Sequence, residues 1–521
     1  MNLFHALRAA WPATDQDPAI FCEDGRAYTW RDLERATAML ANLLDSLHLQ
    51  GVDDRPPVVA AHVDKSVESL LLYLATLRAG CTYLPLNPAY RAAELEYFVG
   101  DAQPAVLVCR PEDQEWVIPI AAHGGVDHLF TLGTDRTGSL LSHASLHNDR
   151  HAVADRQPDD LAAILYTSGT TGRSKGAMLS HGNLLSNART LLRYWDWRYD
   201  DCLVHALPIF HIHGLFVACH CALLAGTPMR WLNKFDPASV LSTIADSRPP
   251  QATLFMGVPT MYVRLLQAPE LTAEATRHMR LFISGSAPLL AAPHEAFAQR
   301  TGHTILERYG MSETGMLCSN PCRPGDGLRV TGSVGRPLPG VQVRIVDGAG
   351  AVRTTDAMGE VEVRGPNVFS GYLGMPDKTA ESFTADGWFK TGDVGHVDAL
   401  GYVHLSGRAK DLIISGGFNV YPAEIESAID KLPGVAESAV VGVPHPDFGE
   451  GVIAIVVPES GQTLEEAAII RHLKDTMANF KVPKRVFVQA ELPRNAMGKV
   501  QKTLLRQAWQ HTFKSPEHTT Q

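Results

Sequence analysis

Tyr166-Thr-Ser-Gly-Thr-Thr-Gly-Arg-Ser-Lys-Gly176 continues an apolar run that begins at Leu161. The run Leu161-Ala-Ala-Ile-Leu-Tyr166 is short and lacks helical periodicity, so it reads as a buried strand. Gly169, Gly172 and Gly176 let the backbone turn sharply and present its N–H groups to an anion. Thr167, Ser168, Thr170 and Thr171 add hydroxyl donors, and Lys175 places a positive charge at the far end. Strand, Gly/Ser/Thr loop and lysine together have the chemistry of a phosphate cradle. The spacing is not that of a Walker loop, which needs Gly-x-x-x-x-Gly-Lys-Ser/Thr. Here Gly169 and Gly172 stand too close, and Lys175 precedes a glycine. Taken alone, such a loop is equally a polar surface turn, and the rest of the chain decides between the two.

At 521 residues the chain exceeds one core of ordinary size and implies two or more domains. Lys+Arg 46 against Asp+Glu 56 gives a net charge of −10, which argues against a general nucleic-acid surface but leaves room for a local basic pocket. The eight cysteines, at 22, 81, 109, 202, 219, 221, 318 and 322, follow neither a disulfide-scaffold nor a zinc spacing. Free thiols in a reducing compartment, the cytoplasm, are the simplest expectation. No apolar run is long enough for a membrane span. The first eleven residues read as an amphipathic helix rather than a secretory signal.

From residue 28 onward helices and strands alternate. Trp30–Leu49 reads as a helix, Val58–His62 as a strand, Ser66–Arg78 as a second amphipathic helix, and Cys81–Leu86 and Ala105–Cys109 as further strands. This alternation predicts an α/β architecture rich in parallel sheet. Between 340 and 410 the texture changes to short strands and tight turns, as in Val341–Val346, Gly359–Arg364 and Gly401–Leu405. After Arg408-Ala-Lys-Asp411 it changes again: Pro422 opens a helix, strands follow at 438–443 and 452–457, and a helix at about 464–477. The expected organisation is a large N-terminal domain, 1–409, of mixed and parallel sheets with helices and a β-rich subdomain. A small mobile α+β domain, 410–521, follows, with a frayed polar tail from Lys514.

Further motifs follow the cradle in order: Leu207-Pro-Ile-Phe-His-Ile-His-Gly-Leu215, Ser284-Gly-Ser-Ala-Pro-Leu289, Glu307-Arg-Tyr-Gly-Met-Ser-Glu-Thr314, Thr391-Gly-Asp393, Gly407-Arg-Ala-Lys-Asp-Leu-Ile413 and Pro493-Arg-Asn-Ala-Met-Gly-Lys499. In this order they resemble the adenylate-forming family of acyl- and aryl-CoA synthetases, luciferases and peptide-synthetase adenylation domains. The resemblance spans about residues 20–505. It implies a two-step reaction with ATP, Mg²⁺ and coenzyme A: a carboxylate attacks the α-phosphate to give an acyl-adenylate and pyrophosphate, and a thiol then displaces AMP. An anion approaching a polyanion needs cations and aimed donors.

By the same resemblance the 167–175 loop (Thr167, Ser168, Gly169, Thr170, Thr171, Gly172, Lys175) holds the β- and γ-phosphates, and Glu313 with Thr167 helps hold Mg²⁺. Gly285, Ser286, Ala287, Pro288 and Tyr309 line the adenine, within a nucleotide site that also includes Glu307, Arg308, Gly310, Met311 and Ser312. Asp393 accepts the ribose hydroxyl protons, with Arg408 nearby. Lys499 bridges the carboxylate and the α-phosphate. Lys410 is the hinge about which the small domain swings between half-reactions, bringing Ser415, Gly416, Gly417 and Phe418 to the CoA arm. His211, counted with Lys499 and Glu313 as catalytic, borders the acyl pocket and the thiol tunnel. His211-Ile-His213 would share one face of a strand, but no third metal ligand accompanies them.

Within the family, Gly257-Val-Pro-Thr-Met-Tyr-Val-Arg264, Met279–Pro288, Gly417–Pro422 and Val443–Gly451 are most similar to the malonyl-CoA synthetase branch. A dicarboxylate needs a cation at the far wall of the acyl pocket, where a buried arginine can take the distal carboxylate bidentately. Arg264 is the candidate on these stretches, the other account being a helix arginine paired with a structural carboxylate. Ser284, Met311, His211 and Ile212 complete the expected acyl pocket. Two residues depart from the branch: Ile212 stands where a threonine is usual, and Gly315 where a larger polar residue is expected. The runner-up activities are ligation of a short- or medium-chain monocarboxylate to CoA and adenylation for loading a carrier protein.

Overall fold

Thr167 pairs with Lys175 in an antiparallel ladder that joins Leu161–Thr167 to Lys175–Ser180. The computed structural model describes residues 1–513 except 168–173, 416–417, 478 and 496–497, and at 418–419 the backbone alone. The expected sites Ser168, Gly169, Thr170, Thr171, Gly172, Gly416 and Gly417, the side chain of Phe418 and the polar tail therefore lie outside the described residues.

Strand Leu161–Thr167 belongs to a seven-stranded sheet in the order Gly371–Tyr372, Lys175–Ser180, Leu161–Thr167, Thr82–Pro85, Val58–His62, Val106–Cys109, His128–Thr131. Leu161–Thr167 and the four strands after it run parallel, as the helix–strand alternation predicts. A nine-stranded sheet lies across the core from it, and its neighbouring strands Leu203–His205, Leu254–Gly257, Leu281–Ser284 and Leu306–Met311 are also parallel. Parallel strands deliver the loops at their carboxyl ends to one edge, where the motif residues 285–288 and 311–314 emerge.

Helix Val67–Arg78, expected to be amphipathic, is buried on every side. It shares one apolar core with residues of both large sheets, and a helix between two layers has no solvent face. Its charged residues are paired: Glu68 with Tyr28 and Arg136, Arg78 with Glu34. The other expected elements are present with ends moved by a few residues, as in Trp30–Ser46, capped by Thr29 and Asp32, and Pro422–Ile429, with proline in its first turn.

The β-rich stretch forms a four-stranded antiparallel sheet, Gln342–Val346, Gly359–Arg364, Phe389–Val397 and Val403–Arg408. The chain then passes through the short turn Ala409–Asp411 into a last sheet built on the long hairpin Val435–His445 and Gly449–Pro458. All eight cysteines are free thiols. Among the described residues, no helix is long and apolar enough to cross a membrane.

Candidate active site

The two sides of the strand pair Leu161–Thr167 and Lys175–Ser180 are pinned where they approach residues 168–173. Tyr166 donates its hydroxyl to Asp101 at 2.5 Å, and Tyr97 donates to the Ser174 carbonyl at 2.6 Å. Lys175 Nζ lies 4.2 Å from the centre of the Tyr372 ring, and Tyr372 donates to Glu313 Oε1 at 3.1 Å. Tyr372, absent from the sequence reading, thus links the loop lysine to the expected metal-holding carboxylate. Burial raises the pKa of Glu313, while the Tyr372 hydroxyl and the Arg408 and Lys175 charges pull it the other way. A carboxylate and the Thr167 hydroxyl are hard oxygen donors that suit Mg²⁺. No cluster of three or more His, Cys, Asp or Glu accompanies them among the described residues, so such an ion would take most of its ligands from phosphate and water.

Asp393 sits directly across from Arg408 in the four-stranded sheet. Arg408 Nε bonds its Oδ1 at 2.9 Å, and the Tyr309 hydroxyl donates to its Oδ2. Both carboxylate oxygens are therefore engaged by protein donors, and two ribose hydroxyls would have to share or displace these partners.

Strand Leu306–Met311 sorts its motif by alternation. Tyr309 reaches Asp393, and Glu307, on the same face, accepts the Leu289 N–H at 3.2 Å, which braces the 285–289 loop. Burial pushes the Glu307 carboxyl up to about 7. The folded state then holds this proton more tightly than the unfolded chain, so stability falls as pH rises from about 4.5 to about 7, by at most about 3 kcal/mol. Glu307→Gln keeps the acceptor without the charge. It should melt above the wild type at pH 8, with the difference vanishing towards pH 5; an equal difference at both pH values would contradict this.

Arg308, grouped with the nucleotide residues on sequence, faces the other way. Its guanidinium lies on the bare backbone of Gly285, where a Cβ would come within 2.5 Å of Cζ. It is buried, has no ion pair among the described residues, and its Nε and Nη2 lack acceptors. Burial pushes it down to about 9. Its charge acts on both motif histidines: burial, with Arg308 and Lys499 adding to it, lowers His211 to about 4, and His213 also falls well below its usual range. Both imidazoles are neutral at physiological pH. Ser286, in the left-handed region at φ +73°, places its Oγ 3.4 Å from His213 Nδ1. Ser284 Oγ and His213 Nε2 are likewise buried without partners.

The histidines do not form a strand, because His213 opens a π-helical segment, His213–Cys219. Arg264 is not the buried cation expected of it. It is exposed on helix Pro259–Gln267 and has no ion pair among the described residues. Ile212 and Gly315 share the walls of a small, partly open pocket with Asn187, Phe216 and Asn367, and Arg308 is not among those walls.

Lys499 lies on a turn whose Gly498, at φ +73°, packs so closely on helix Pro259–Gln267 that a Cβ would meet Thr260 Oγ1 at 2.9 Å. Desolvation and the Arg408 charge lower the pKa of its ammonium, and Asp393 opposes them. Lys499 is exposed, and its charge is felt by Arg408, Asp393 and His211. Lys410 is exposed in the connecting turn, beside the Asp411–Arg506 ion pair of 2.5 Å. Ser415 is buried in the short hairpin Ile413–Ser415 and Phe418–Val420, and no hydrogen bond or ion pair among the described residues joins that hairpin to the histidine side.

The family model for AMP-binding enzymes matches residues 7–373, and that for the AMP-binding enzyme C-terminal domain matches 424–499. The chain belongs to the AMP-binding enzyme family. It is 36% identical over 472 residues to the malonate–CoA ligase of Arabidopsis thaliana, covering 85% of this chain and 76% of that protein. It is also 36% identical over 495 residues to a feruloyl-CoA synthase of an Amycolatopsis species, covering 92% and 94%. The crystal structure of ATP-bound MatB from Rhodopseudomonas palustris superposes with a TM-score of 0.94 at 52% identity, covering 98% of this chain and 99% of that one. The apo structure of the same protein gives 0.83.

Proposed function

We propose that this enzyme joins malonate to coenzyme A, with ATP converted to AMP and pyrophosphate. The observation that carries the choice of acid is Arg308, a buried cation whose Nε and Nη2 lack acceptors and which has no carboxylate to neutralise it among the described residues. Leaving such a group unpaired is costly, so it fits a site completed by an anionic ligand. A dicarboxylate has one carboxylate to react and one to spare. The likeness to malonate–CoA ligases and to MatB supports the same reading.

In the first half-reaction Lys499 sits between the reacting carboxylate and the α-phosphate, offsetting the repulsion as one carboxylate oxygen bonds to phosphorus and pyrophosphate leaves. Lys175 steadies the leaving phosphates, and Asp393, Tyr309 and Arg408 orient the ribose. Glu313 and Thr167 would hold Mg²⁺, which would supply charge neutralisation. Neutral His211 adds no cation beside the acyl group and leaves that side open to the thiol. In the second half-reaction the CoA sulfur bonds to the acyl carbon, its proton leaves and the C–O bond to AMP breaks. Rotation about Lys410 withdraws Lys499 and brings the Ser415–Phe418 hairpin in. Free thiols and dependence on ATP and CoA fit a cytoplasmic enzyme.

ATP-dependent thioester formation across malonate, methylmalonate, acetate and octanoate, with CoA and with a carrier protein as acceptors, tests this reading. Malonate with CoA should give the highest kcat/KM. Preference for a monocarboxylate or for the carrier would overturn it.

A further inference from the structure

The turn that presents Lys499 is tied down from outside itself. Arg494 donates through Nη1 to the Gly498 carbonyl at 2.5 Å and through Nη2 to the Glu437 carboxylate. One guanidinium thus fastens the residue before the lysine to the long strand Val435–His445. Within the turn, the Asn495 N–H donates to the Lys499 carbonyl at 2.9 Å and the Lys499 N–H to Asn495 Oδ1 at 3.0 Å. These local bonds set the shape of the turn but not its place. On the opposite side Gly498 abuts Thr260, so the turn is held between the arginine and the large domain.

We propose that Arg494, anchored by Glu437, is a positioning residue for adenylation: it holds the Gly498 backbone so that the Lys499 ammonium keeps its place beside the reacting carboxylate and the α-phosphate. The proposal rests on the assignment of Lys499 to the first half-reaction. A lysine side chain is flexible, and its reach is set by where its backbone is fixed. Arg494 and Glu437 are both partly exposed, at 31% and 27% of their side chains, and ion pairs of that kind add little to stability. The position of a catalytic charge counts for far more, because a misplacement of about 1 Å costs on the order of a hundredfold in rate.

Malonate-dependent ATP–pyrophosphate exchange, thioester formation from preformed malonyl-adenylate, and melting temperature separate the alternatives in Arg494→Ala, Glu437→Gln, Lys499→Ala and the Arg494→Ala/Lys499→Ala double variant. Exchange should fall roughly a hundredfold in Arg494→Ala and less in Glu437→Gln. Thioester formation and melting temperature should stay near wild type, and Arg494→Ala should cost nothing further once Lys499 is gone. Undiminished exchange in Arg494→Ala and Glu437→Gln, beside an impaired Lys499→Ala, would overturn this proposal alone. So would equal loss of both half-reactions, or a further loss in the double variant. Undiminished exchange in Lys499→Ala would overturn the role of the lysine itself, and the proposal with it.

Discussion

Arg308→Leu should lower kcat/KM for malonate by roughly a hundredfold or more while leaving acetate or propionate use unchanged or improved. Truncating one partner of a buried, hydrogen-bonded charge pair costs about 2–5 kcal/mol, and here the other partner would be the distal carboxylate of the substrate. The same change should not destabilise the free enzyme. Arg308 has no ion pair among the described residues, so no protein carboxylate is left stranded when it goes. Replacing a buried, unpaired cation with an apolar side chain removes a desolvation cost. An unchanged or raised melting temperature with lost malonate activity would separate a substrate-binding arginine from a structural one. Arg264→Leu, on the exposed face of helix Pro259–Gln267, should behave like wild type in both measurements.

Lys499→Ala should reduce malonate-dependent pyrophosphate exchange by on the order of a thousandfold, the upper range for removing one preorganised donor to developing charge. It should leave thioester formation from supplied malonyl-adenylate within a few-fold of wild type. The asymmetry follows from the charges. In the first step an anion approaches ATP, and the Lys499 charge, felt by Arg408, Asp393 and His211, offsets their repulsion. In the second step the phosphate is a leaving group and the thiol approaches the acyl carbon, so the lysine is no longer needed. Equal loss in both half-reactions would contradict this division.

The strand Leu161–Thr167 was legible because a short apolar run without helical periodicity is a local signal, whereas its antiparallel partner Lys175–Ser180 was not read. The parallel sheet was legible because helices and strands alternate. Lys499 could be placed only through the order of distant motifs, since no local pattern ties a loop lysine to a phosphate loop more than 300 residues earlier. The acyl pocket was harder. Arg264 was chosen for the stretch it lies in, but which way a helix residue faces depends on what packs against the helix, and here that face is open to solvent. Arg308 falls within the nucleotide site when its motif is read as one unit. The period of two along Leu306–Met311 places it opposite Glu307 and Tyr309, and that signal was present in the sequence. The all-round burial of Val67–Arg78 was hidden for a different reason. Glu68 and Arg78 look like solvent-facing charges until Tyr28, Arg136 and Glu34, their partners, are brought to them by the fold.

The account depends most on where the second carboxylate of the substrate goes. A crystal structure with a non-hydrolysable malonyl-adenylate analogue measures this directly. The distal carboxylate should lie within hydrogen-bond distance of Arg308 Nε and Nη2, with Lys499 at the α-phosphate. A distal carboxylate bound elsewhere, with those two donors still unpaired, would contradict it.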